Sequence, residues 1–210
     1  FAPPGFAPPG LPSASSAAPG AVPTPSVADR LAREAVAVRR AAPEGWPLPP
    51  KAVRHGADLM VVRVTPRSDA DADADPWRPG GRALRKALHA TYPQATYRTV
   101  DATTSAAERE AIRAEAHSAE HLVVAAAVEP AAWHTFGLRP EQHALLHAWT
   151  TARPVVLVAL GSPHWLDTFP DAAVAVCTYS DVPASQRALI GAMAQGEAAR
   201  SVGSSRSEEP

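Results

Sequence analysis

The chain is poor in the residues that announce a chemistry. Cys177 is the single cysteine among 210 residues, so no disulfide framework forms within the chain, and the redox compartment stays open. It stands inside an apolar run, where a thiol behaves as a small hydrophobe rather than a nucleophile. No apolar run approaches the ~18 residues that a membrane span needs. Neither sign of charge dominates: 20 Lys and Arg stand against 21 Asp and Glu. The near balance argues against bulk nucleic-acid binding, which wants a basic face. HExxH and the Walker phosphate loop are missing. Gly161-Ser162-Pro163 lacks the second glycine of a nucleophile elbow. No signal peptide is visible, and the chain begins with Phe1 rather than Met.

What is present is proline and alternating apolar runs. Residues 1–26 are Pro, Ala, Gly and Ser, with a tandem Phe-Ala-Pro-Pro-Gly at Phe1 and Phe6. Such a segment buries too little apolar surface to offset its ordering entropy, so a disordered leader is expected there. Residues 201–210 read as a polar tail, and 27–200 as one domain. Within it, a helix is expected over Val27–Arg39, on the spacing of Val27, Leu31, Ala35 and Val38, with Ser26 as N-cap. Strands are expected at Asp58–Thr65, Thr96–Val100, His121–Val128, Val155–Leu160 and Ala172–Tyr179. Helices are expected at Gly80–Thr91, Ser105–Ala116, Arg139–Ala152 and Ala184–Ala194. Ser105 followed by Glu108 has the pattern of a capping box. Continuous apolar strands alternating with helices predict an α/β three-layer sandwich of about five mostly parallel strands.

Open sheets bind ligands at the carboxyl ends of their strands. Glu129, Asp167, Asp171 and Asp181 fall there, but nothing in their spacing pairs any two as an acid and a base. Asp181, before Val182-Pro183, reads first as a turn and cap residue. His117 with His121, and His143 with His147, have the i,i+4 spacing of a metal-binding helix face; no third ligand accompanies either pair, so no metal and no cofactor is expected. Asp69, Asp71, Asp73 and Asp75 alternate with Ala, yet Ala74 and Gly80 stand where a calcium loop needs Gly and Glu. Gly80-Gly81 reads as a loop ahead of a helix. One group remains as a candidate contact surface for substrate or partner: Trp133, His134 and Phe136 after the His121–Val128 strand, and His164, Trp165 and Asp167 after the Val155–Leu160 strand. Aromatics at that edge stack on a sugar or on a partner domain, or else pack within their own loops.

Two stretches carry a family resemblance. From Arg153 to Met193 a buried strand ends in Gly-Ser-Pro, followed by an aromatic segment with Asp167, Phe169 and Pro170. Cys177-Thr178-Tyr179-Ser180-Asp181 then leads into Pro183-Ala184-Ser185-Gln186-Arg187-Ala188. Upstream, Val27–Pro49 includes Val38-Arg39-Arg40 and Pro47-Leu48-Pro49. Together they resemble the C-terminal domain of glycoside hydrolase family 3, and most of all its bacterial beta-N-acetylhexosaminidase branch. The likeness spans about residues 27–196. It departs at Gly196–Val202, where the family continues into a further strand.

The resemblance implies a parent activity, the retaining hydrolysis of terminal beta-linked N-acetylglucosamine. It also implies that the residues performing it are elsewhere. In the family they lie on a preceding TIM barrel, whose motifs are not found here and which needs roughly 250 residues. No catalytic residue is therefore carried over. The expected role is an accessory domain packing on a catalytic barrel, with the barrel as partner and carbohydrate as a further possible contact. Two readings stand beside it: a stand-alone interaction or small-ligand-binding module that kept the fold, and a hydrolase using the edge carboxylates. A fragment, a split gene and a domain now existing alone all fit the sequence.

Overall fold

The structure is a computed structural model, and it describes residues 26–41, 59–68, 80–128 and 136–195. The leader, the aspartate-alternating loop, Glu129, Trp133, His134 and the polar tail lie outside the described residues.

Six strands form one sheet: β1 (Ala37–Ala41), β2 (Leu59–Val64), β3 (Thr96–Val100), β4 (His121–Val128), β5 (Val156–Gly161) and β6 (Val174–Cys177). Their order is β1-β6-β5-β4-β2-β3. All pairs are parallel except β1 with β6. Five helices flank the sheet: α1 (Val27–Ala35), α2 (Arg82–Thr91), α3 (Ala106–Ser118), α4 (Pro140–Ala152) and α5 (Pro183–Gln195), with a 3-10 helix at Pro163–Thr168 between β5 and β6.

The apolar runs are continuous because both faces of the sheet are covered. Met60, Val62, Leu122, Val124 and Leu157 face a core shared with Ile112 of α3, Leu146 and Trp149 of α4, and the 3-10 helix. Leu59, Val61, Val123, Val156 and Val158 face the opposite core, built with α1, α2 and α5. Period-two alternation thus sorts each strand into two cores, and three layers follow. The expected sandwich is found, with one strand more than expected.

That strand corrects the reading of Val27–Arg39. The helix stops at Ala35, and Val38-Arg39-Arg40 belongs to antiparallel edge strand β1. Val27 and Leu31, read as the inward stripe, are 63% and 62% exposed; Ala32 is the buried residue of the helix. Val36 and Ala37 are buried, and pairing with β6 gives their backbone a ladder that a longer helix would forgo. A register shift between Val38 and Arg40, together with exposed Arg39 and Arg40, is how edge strands resist further pairing.

Caps follow the sequence closely. The Ser26 hydroxyl accepts from the Asp29 amide, and Ser105 and Glu108 exchange both bonds of a capping box. Arg153 closes the other end of α3, donating to the carbonyls of Ala116 at 2.6 Å and Glu120 at 2.8 Å. No helix among the described residues is long and apolar enough to cross a membrane.

Candidate functional site: the carboxyl edge of the sheet

From β2 the chain runs outward to β3, then returns past β2 to β4, so the strand order reverses at β2. Ligands of open α/β sheets sit at such a reversal, beyond the carboxyl ends of the strands. Here the backbone and charged groups at that place are already engaged by the protein's own buried side chains.

On the α2/α5 face, Arg63 points from the last turn of β2 into the interior at 2% exposure. Its guanidinium donates to Asp181 Oδ2 at 2.7 Å. Gln186, fully buried, completes the arrangement. Its amide nitrogen donates to Asp181 Oδ1 at 2.8 Å, to the Asp181 carbonyl at 3.0 Å and to the Gly80 carbonyl at 3.2 Å. Its oxygen accepts from the Leu84 amide at 2.9 Å, one of the amides that a helix N-terminus would offer to an anion. Gly81 is a glycine for lack of room: a Cβ there would stand 2.0 Å from Tyr97 Oη and 2.7 Å from Arg63 Cδ.

On the opposite face, Gln142 of α4 does the corresponding work. It is 1% exposed, and its amide nitrogen donates to the Thr65 carbonyl at 2.7 Å, where β2 ends. The Thr65 amide in turn donates to the Val100 carbonyl at the end of β3. Gln142 thus pins the ends of β2 and β3, while Gln186 ties the start of α2 to the loop before α5. In the sequence Gln186 figured only within the Pro183–Ala188 run of the family resemblance and Gln142 not at all, because glutamine inside a helix carries no signal of burial; nor was Arg63 singled out, which sits in an otherwise apolar strand.

Asp181 is therefore more than the turn residue expected. It joins β2 to the start of α5, and its charge is matched by a buried guanidinium, an arrangement that suits a structural anchor rather than a proton donor.

The contact candidates divide. Trp165 is fully buried, its ring 4.9 Å from Phe169. The sequence left open whether it stacks at the edge on a sugar or partner or packs inward; in the structure it packs in the core. The cause is the 3-10 helix, which turns Trp165 and Leu166 inward and leaves His164 and Asp167 exposed. Phe136 is partly buried and packs on the same core, with φ at 55°. Cys177 is buried as expected: its Sγ donates to the Gly161 carbonyl and accepts from the Tyr179 amide, and burial pushes the thiol up from its ordinary value.

What the edge does present is Tyr179 and Val182, each 47% exposed. Tyr179 has φ at 59°, the left-handed region that a bulky residue rarely adopts. Its loop is braced: Thr178 Oγ1 donates to the Ser180 carbonyl at 2.8 Å, the Ser180 and Ser185 hydroxyls lie 2.9 Å apart, and Asp181 is held by Arg63. His117 and His121 share no helix, since one closes α3 and the other opens β4. His143 and His147 do share α4, with ring centroids 5.0 Å apart. Among the described residues no group of three or more His, Cys, Asp or Glu is placed to hold a metal.

No protein-family model matches the sequence, and no curated protein matches it. Solved structures do. One is a glycoside hydrolase family 3 beta-N-acetylglucosaminidase from Paenibacillus sp. FPU-7, with TM-score 0.60 and 17% identity, over 83% of this chain and 33% of that one. A fungal multi-domain beta-N-acetylglucosaminidase of the same family matches with TM-score 0.58 and 14% identity, over 79% of this chain and 17% of that one. The beta-glucosidase from Listeria innocua bound to glucose matches with TM-score 0.55 and 14% identity, over 79% and 24%. At these identities the likeness is one of fold. The chain spans a third or less of each of these proteins.

Proposed function

We propose that this chain is an accessory domain of the glycoside hydrolase family 3 C-terminal type. It packs on a catalytic barrel carried elsewhere, in the same gene product or a separate chain, and helps shape the barrel's cleft. The parent activity is hydrolysis of terminal beta-linked N-acetylglucosamine. The observation that carries the reading is the fold match over 83% of this chain against only 33% of the Paenibacillus enzyme. The residues that suggested the family from sequence are those around Gly161-Ser162-Pro163 and Cys177–Asp181.

The carboxyl edge supports a docking role over a catalytic one. Glycoside hydrolysis needs two carboxyl groups flanking one bond. Asp181 is committed to Arg63, while Asp167 stands exposed on the 3-10 helix. The braced loop instead presents Tyr179, a residue type enriched at interface hot spots, beside exposed Val182. Exposed His164 and Asp167 belong to the proposed contact surface; Trp165 acts beneath it as support.

The test is capture of a family 3 barrel polypeptide by the tagged chain from its source cells, identified by mass spectrometry. Wild type should retain the barrel, and Tyr179→Ala with Val182→Asp should lower the recovery at least tenfold. Equal recovery by the variant, or no barrel among the captured proteins, would overturn the docking role.

A further inference from the structure

We propose that His143 and His147 form a two-imidazole site for a divalent transition-metal ion of the Cu2+, Ni2+ or Zn2+ class. The two side chains lie one helical turn apart on α4 and face the same way. Their ring centroids are 5.0 Å apart. A metal–nitrogen bond of about 2.0 Å places a ring centre about 3.2 Å from the ion, so two imidazoles at a tetrahedral angle have centroids about 5.2 Å apart. The observed pair already has that spacing.

The pair is also held. Phe169, fully buried, lies 4.8 Å from each imidazole and is itself packed on Trp165. An aromatic floor under both rings restricts their rotamers, which reduces the ordering cost of chelation. His143 is half-buried and His147 exposed, so an ion reaches the pair from solvent. No third His, Cys, Asp or Glu joins the pair among the described residues. The remaining coordination positions would therefore be filled by water or by donors of a bound ligand. Imidazole donors favour Cu2+ over Ni2+ and Zn2+.

The inference is independent of the proposed accessory role. Its test is isothermal titration of the full chain with CuCl2, NiCl2 and ZnCl2 in a non-chelating buffer. One site tighter than about 100 µM is expected, strongest for Cu2+. His143→Ala and His147→Ala should each weaken it at least tenfold, and His164→Ala should leave it unchanged. His147 is exposed but its ring packs on Phe169, so circular dichroism checks that the fold persists in each variant. Absence of binding, or affinity unchanged in both variants, would overturn the proposal.

Discussion

Trp165 and Asp181 show how single residues at one edge came to support the fold. The Trp165 ring fills the core beside Phe169, so Trp165→Ala should cost about 3–5 kcal/mol. Urea unfolding would show this as a lower midpoint with an unchanged slope. Asp181 matches the charge of Arg63, whose side chain is 3% exposed. Asp181→Asn removes this ion pair from the buried guanidinium, at a cost of about 2–4 kcal/mol, reduced because Asp181 itself keeps 22% exposure. The same unfolding measurement checks it. Both roles were hidden in the sequence for one reason. An aromatic in a strand-end loop, or an aspartate before Val-Pro, reads the same whether it faces solvent or core. Only the 3-10 turn and the distant Arg63 decide, and neither is a local signal.

At the scale of elements, the sequence was clearest where local physics suffices. The capping box at Ser105 and Glu108 needs four residues, and β4 needs only its apolar run; both stand where expected. Over Val27–Arg39 the helix and its Ser26 cap are present but stop at Ala35, because the helical spacing runs on into Val38, which belongs to β1, while Val27 and Leu31 are exposed. The antiparallel partner of β1 lies more than 130 residues away in sequence, beyond any local pattern. Helix α4 carries a pH prediction. Because burial and His147 lower the His143 pKa in the folded chain, the unfolded chain takes up the proton first as pH falls. Stability is thus fully present above about 6.5 and declines below it, until the folded pKa is passed. Denaturation midpoints at pH 7.5 and 5.5 should differ more in wild type than in His143→Gln; an equal difference would remove His143 as the cause.

For the whole molecule, the layered architecture was readable because alternation of apolar strands and helices admits few topologies. The functional edge was less so, since its character comes from Gln142, Gln186 and Arg63 converging from three separate elements. Arg63 and Gln186 hold Asp181 and so brace the loop on which Tyr179 and Val182 stand exposed, while Gln142 bonds the end of β2. In the proposed role the chain supports a glycosidase without performing its chemistry. The most direct measurement is hydrolysis of 4-nitrophenyl N-acetyl-beta-glucosaminide by the purified chain, beside the same assay on a beta-glucoside. No turnover above background is expected on either substrate. Clear turnover, abolished by Asp167→Asn or Asp171→Asn in a protein that still folds, would contradict it and place the active site in this domain.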